Sequence, residues 1–278
     1  MAEITAALVS KLRQQTGAGM MDCKKALVEN DGDLEASVDW LRMKGAATAE
    51  KKSGRATQEG VIAQHIVADA KAGVLVEINC ETDFVAKNEQ FQQFAAEVAQ
   101  ALVENAEADL EPKRLEAVGE IGENIRITRH ERLSVEGSGA VAAYIHHGSK
   151  VGVLVEVSAG QDTTTEEENF KQLVRDITLQ IAAASPTAVR REELDADLIA
   201  KEREIAAEQF KDKPPQAVEK IVEGKLEKYY QTVCLVDQAF VKNGELSMQK
   251  HIDAVAAELG DTVKVNRFLR FQVGETAE

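Results

Sequence analysis

GVIAQHIVADAKAGVLVEINCETDF, residues 60–84, lies on GAVAAYIHHGSKVGVLVEVSAGQDT, residues 139–163, without a gap and at a constant offset of 79. The correspondence continues, so that 60–102 falls on 139–181. Gly60 meets Gly139, Ile66 meets Ile145, and Gly73-Val74-Leu75-Val76-Glu77 meets Gly152-Val153-Leu154-Val155-Glu156. Downstream, Asp83 meets Asp162, Phe91 meets Phe170 and Gln93 meets Gln172. Shared β periodicity would match apolar positions but not polar ones at fixed spacing, so the reading is an internal duplication.

Each copy reads as strand, turn, strand, helix. Branched residues alternate or run continuously through two strands, with turns at DAKAG and HGSKVG. Phe91, Phe94, Ala95, Val98 and Leu102 recur at helical spacing in the first copy. Phe170, Leu173, Val174, Ile177 and Ile181 do so in the second. A helix over one face of a small antiparallel sheet gives an α+β class with two similar subdomains.

Working outward, residues 4–44 read as three short helices. Ile4, Leu8 and Leu12 form one stripe, Gly17 and Gly19 punctuate, and MMDCKKALVEN stops at Asp31-Gly32. Asp33 is a candidate N-cap for a third helix carrying Leu34, Val38 and Leu41 inward. GAATAEKKSGRATQE, residues 45–59, is small and polar and reads as a linker that can open with a helical turn. GENIRITRHERLSVEG offers a further strand through Ile125, Ile127, Leu133 and Val135. Residues 190–211 and 215–230 read as two helices of a projecting antiparallel hairpin around KDKPPQ, with Pro215 in a first helical turn. Val218, Ile221, Val222, Leu226 and Tyr229 are the expected stripe of the second. A helix near 247–259 and the strand VNRFLRFQV follow. The expected division is 1–54, 55–138, 139–186, 187–230 as an insertion, and 231–278.

The 278 residues are 44% hydrophobic and 29% charged, with only 4% aromatic, so cores must rest on Val, Leu, Ile and Ala. A net charge of −15 repels phosphate backbones and argues against broad nucleic-acid binding. MAEITAALVSKLRQQ holds no apolar segment and no run near 18 apolar residues occurs, so neither export nor membrane insertion is expected. Cys23, Cys80 and Cys234 are too scattered for a disulfide framework or a zinc site, as in a cytosolic, cytoplasmic protein with reduced thiols.

Catalytic motifs are missing. No GxxxxGK[ST], GxSxG or HExxH occurs, and GSGAVA at 137–142 enters a strand where a dinucleotide loop would leave one. His146-His147 lacks a supporting ligand at short spacing, and on a strand the two rings would face opposite ways. Lys24 and Lys25 follow Cys23, which favours a thiolate, yet no histidine or second cysteine stands near. No cofactor or metal is expected.

What remains is NCETDFVAKN, residues 79–88, which sets Phe84 in a polar loop. Asp83 has its counterpart in Asp162, but Phe84 falls on Thr163, so the scaffold does not demand the ring. Two readings stand: a local plug under the sheet, or an exposed contact for a partner.

LRQQTGAGMMDCKKAL at 12–27 and VEINCETDFVAKN at 76–88 resemble the two signature segments of the bacterial elongation factor Ts family. The resemblance continues through GENI at 122–125, HGSKVGVLVEV at 147–157, KIVEGKLEKYYQTVCL at 220–235 and FLRFQVGE at 268–275. It implies an N-terminal helical domain of ubiquitin-associated type, a two-part α+β core and a helical hairpin. It also implies guanine-nucleotide exchange on elongation factor Tu by protein contact, with no enzymatic chemistry. By the same resemblance Thr82, Asp83, Phe84 and Val85 would dislodge Mg²⁺ from the partner. Met20, Met21 and Lys24 would supply the N-terminal contact, and Ile121, Gly122 and His147 core contacts.

Overall fold

The computed structural model describes residues 4–275. Three helices open the chain: α1 (Ala6–Thr16), α2 (Met20–Glu29) and α3 (Leu34–Lys52). Leu12, Cys23, Ala26 and Leu27 form their small core. Asp33 caps α3 by accepting from Ala36 N, and Gly17 closes α1 in the left-handed region at φ 66°.

The expected linker at 45–59 is a helix for half its length, since α3 runs to Lys52. Its small residues are contact residues. Gly45 crosses Gly119 of α6 (Glu111–Ile121) so closely that a Cβ on Gly119 would stand 3.1 Å from the Gly45 Cα. Ala49 is buried in the core of the first subdomain. A glycine-on-glycine crossing has no large apolar side chains, and so no periodicity to read. The sequence reading named no α6; its Pro112 sits in the first turn.

The first copy comprises β1 (Glu59–Ile66), β2 (Ala72–Cys80), the one-turn α4 (Asp83–Ala86), α5 (Glu89–Glu104), α6 and β3 (Arg126–Ser134). The second comprises β4 (Gly139–Ile145), β5 (Val151–Ala159), α7 (Asp162–Glu166), α8 (Glu168–Ala184), α11 (Met248–Leu259) and β8 (Val263–Gln272). Between α8 and α11 lie a 3-10 turn at Arg191–Glu193, α9 (Ala196–Gln209), α10 (Pro215–Val233) and the two-stranded β6 (Ala239–Phe240) and β7 (Asn243–Ser247). The sheets are antiparallel, in orders β1-β2-β3 and β4-β5-β8.

The duplication extends beyond the span read from sequence. After α8 the offset changes from 79 to 138, because α9 and α10 intervene. At that offset Gly122, the left-handed cap of α6, meets Gly260, the left-handed cap of α11. Arg129 meets Arg267, and each pairs with the buried glutamate opposite it, Glu77 at 2.8 Å and Glu156 at 2.7 Å. The ladders are interrupted at equivalent points, between Glu77 and Ile78 and between Glu156 and Val157.

The two sheets pack face to face. Val74, Val76 and Ile78 point to α5, whereas Leu75 joins Ile62, Val141, Leu154 and Phe271 between the sheets. Both faces of β2 are therefore covered, which explains a continuous apolar run where one-sided burial would alternate. The packing is reciprocal. A Cβ on Gly73 would stand 3.1 Å from Leu154 Cδ1, and one on Gly152 3.0 Å from Leu75 Cδ1. Ile62 N donates to Ser149 O and Val141 N to Ala70 O, each at 2.7 Å. Ala70 and Ser149 both hold φ 56°, a costly conformation offset by these two crossing hydrogen bonds. Each half thus uses the same patch against the other, the arrangement of an isologous dimer within one chain.

The helix expected at 190–211 is broken. Arg191 pairs with Asp237 and Glu227, and Glu193 accepts from Val189 N, so the chain turns before Asp195 caps α9. α9 and α10 pack through Ala206, Val222 and Leu226, with Tyr230 rather than Tyr229 joining them. His146 and His147 lie in the turn after β4, not on the strand, both exposed.

Candidate functional site

β2 ends at Cys80, and the chain then makes a single helical turn, α4, before α5. Thr82 caps it, its Oγ1 accepting from Val85 N at 3.3 Å. Glu123, beside the cap of α6, holds the turn from outside. Its Oε2 accepts from Glu81 N and Thr82 N, both at 3.0 Å, and its Oε1 from the Thr82 hydroxyl at 2.6 Å. Glu81 Oε1 in return accepts from Asn124 N at 2.7 Å. Val85 and Ala86 pack inward on the first core.

Between these anchors Phe84 points outward and is 82% exposed. The plug reading fails: Val85 fills the space under the turn, and Phe84, on the next face, has nothing to cover it. A large ring left in water on a pinned turn forgoes its own burial energy. Asp83 is occupied locally, accepting from Lys87 Nζ at 2.7 Å. That hydrogen bond holds the Asp83 carboxyl below its ordinary range.

The other residues singled out from sequence collect around this turn to different degrees. Ile121 and Gly122 immediately precede Glu123, so the carboxylate ties them to Thr82. Lys150, in the turn that carries His147, pairs with Glu59 at 2.5 Å, and Glu59 lies opposite Cys80. His147 therefore belongs to the same end of the molecule. Met20, Met21 and Lys24 are all exposed on α2, Met20 at 55% and Met21 at 74%. Their link to the site is indirect: the Gly17 backbone sits against the Glu120 carboxylate. Glu120 also accepts from Gln90 Nε2 at 2.5 Å, and burial raises its pKa.

The equivalent turn of the second copy shows what the scaffold itself needs. Asp261, at the position of Glu123, accepts from Gln161 N at 2.9 Å and from Thr164 Oγ1 at 2.5 Å. Thr164 takes the inward place of Val85, and Thr163, in place of Phe84, is exposed. Sequence reasoning missed Glu123. The signal was available in IGENIRITR at 121–129 set against LGDTVKVNR at 259–267, once the offset changes to 138.

All three cysteines are buried. Burial first, and then the nearby Glu123 carboxylate, push the Cys80 thiol up to about 12; burial pushes Cys234 up to about 11. Among the described residues, no group of three or more His, Cys, Asp or Glu is arranged to hold a metal ion. Nor is any described helix long and apolar enough to cross a membrane.

Fold and site together define a class: a duplicated α+β protein with an added helical domain and an outward aromatic turn. A family model described as Elongation factor TS matches residues 81–275. The chain belongs to the elongation factor Ts family and with it to the factors of translation elongation. A protein named elongation factor Ts from Trichlorobacter lovleyi is 43% identical over 99% of this chain and 94% of its own length. One from Clostridium botulinum strain Eklund 17B is 45% identical over 99% and 94%. One from Symbiobacterium thermophilum is 42% identical over 100% and 94%.

Proposed function

We propose that this chain is a guanine-nucleotide exchange factor that binds elongation factor Tu carrying GDP and promotes GDP release. The observation that carries the reading is Phe84, 82% exposed on a turn pinned by Glu123, where the sister turn has Thr163. A G protein holds its nucleotide partly through Mg²⁺ bridging phosphates and protein oxygens. A factor that binds the Mg²⁺-free, distorted state better than the closed one must, by linkage, weaken nucleotide affinity equally.

Burying a Phe side chain in a partner pocket is worth about 1.5–3 kcal/mol. In this reading that energy is set against displacement of the metal-holding segment by Thr82–Val85. Asp83 arrives already ionised, held so by Lys87. Met20, Met21 and Lys24 form a second contact, on an N-terminal domain of ubiquitin-associated type. Ile121, Gly122 and His147 extend the first, and the hairpin of α9 and α10 stands as an insertion between the parts of the second subdomain. The divisions are 1–54, 55–138, 139–186, 187–230 and 231–278. The protein works in the cytoplasm, binds no nucleic acid or membrane, needs no cofactor, and leaves nucleotide and Mg²⁺ to its partner. No covalent step is required.

Stopped-flow release of fluorescent GDP from elongation factor Tu, with and without Mg²⁺, tests this. The wild-type chain accelerates release, chiefly when Mg²⁺ is present. Tight association with unchanged release would replace exchange by simple holding of the partner.

A further inference from the structure

Glu123 does more than cap a strand entry. Its carboxylate takes three hydrogen bonds from the segment that carries Phe84, and Asn124 N donates one in return to the Glu81 carboxylate. Asn124 is buried and its Nδ2 donates to Arg55 O at 2.9 Å, fixing this pair of segments to the chain just after α3. Segments 81–85 and 121–124 are therefore tied to each other by four hydrogen bonds. One presents Phe84 and the other Ile121 and Gly122.

We infer that Glu123 is a positioning residue for exchange, holding the Phe84 turn in register with the Ile121-Gly122 turn so that both meet the partner already aligned. This rests on the exchange reading above. The physical ground is pre-organisation: a turn free to move would have to be ordered on binding, at the expense of energy otherwise used on the partner. An alanine at 123 matches none of these hydrogen bonds; an amide could keep the two backbone N–H groups on its one oxygen but loses the charge and the second acceptor that takes the Thr82 hydroxyl. Thr82 makes the link to the ring direct, since its hydroxyl donates to Glu123 while accepting from Val85 N.

The second copy supplies the control. Asp261 pins its turn in the same way, but that turn bears Thr163 and no aromatic. Removing Asp261 loosens a turn with no assigned contact, whereas removing Glu123 loosens the one that carries Phe84.

The test measures maximal stimulated GDP release at saturating factor, with a thermal melt of every variant. Glu123→Ala is expected to lower the maximal rate about tenfold and Glu123→Gln about threefold, as loss of charged hydrogen bonds implies. Asp261→Ala is expected to release GDP as fast as wild type even where its melting point falls. Because part of what Glu123 aligns is the Phe84 ring, Glu123→Ala should cost less in the Phe84→Ala background than in the wild type, so the double variant loses less than the product of the two single losses. Wild-type rates in Glu123→Ala, an equal loss in Asp261→Ala, or multiplying losses in the double variant would each overturn the assignment. If Glu123→Ala does not melt cooperatively, Glu123→Gln decides, and no loss there overturns it. A wild-type protein that does not accelerate release sinks the exchange reading itself, and a Phe84→Ala protein as fast as wild type sinks the role of the ring, which separates those failures from this one.

Discussion

The turns that leave β2 and β5 are two uses of one device. Each follows the middle strand of a three-stranded sheet, begins a short helix at an aspartate, and is held by a carboxylate from just before the third strand. They differ where the scaffold is indifferent. The inward place is filled in both, by Val85 against the core and by Thr164 against Asp261. The outward place is Phe84 in one and Thr163 in the other, both exposed. Folding explains the inward pair and the carboxylates; it has no use for the ring. Duplication thus separates, within one chain, what the architecture requires from what was added to it.

The largest expected effect strikes that difference directly. Phe84→Ala should slow stimulated GDP release about ten- to a hundredfold, the rate equivalent of losing about 1.5–3 kcal/mol of burial. Its melting point should not move, because the ring is already in water. Adding Thr163→Phe to that variant should leave release slow; recovery would mean that any aromatic on either turn suffices.

Next come the glycines where the halves meet. Gly73→Ala and Gly152→Ala each place a methyl against the other sheet, and each should cost about 1–3 kcal/mol in denaturant melts. Tolerance of one but not the other would break the reciprocity of the packing. Smaller losses are expected at the anchors: Thr82→Ala and Thr164→Ala should each lose about 1 kcal/mol, but only Thr82→Ala should also slow GDP release.

The smallest effect concerns protonation. Lys87 lowers the Asp83 pKa, so the pairing is present above the ordinary aspartate range and is lost as pH falls through the lowered value. In Lys87→Ala the Asp83 carboxyl, followed by NMR titration, should move up toward its ordinary range with no measurable change in melting point. An unmoved carboxyl would show that the pair does not persist in solution.

Much of this was written along the chain. Strand, turn, strand, helix could be read in both copies because side chains of β2 and α5, or β5 and α8, repeat at spacings set by local geometry. The cap at Asp33 and the first-turn proline at Pro215 are local too. Less legible were α6 and the second half of α3, whose contact is made by Gly45, Ala49 and Gly119. Small residues pack by letting backbones approach and leave no apolar stripe. The break before α9 was hidden for another reason: Arg191 finds its carboxylates at Glu227 and Asp237, far along the chain.

By itself the sequence determined the duplicated α+β units, the family resemblance and the oddity of Phe84, since all three depend on residue type and spacing. Only the tertiary structure decided that the ring faces water, that Glu123 holds the turn that carries it, and that the two sheets meet as equivalent partners. Those facts depend on which distant segments close on one another. A one-dimensional pattern shows that a residue is out of place for a core; it takes the packed neighbours, here Val85 beneath and Glu123 alongside, to show which way it points.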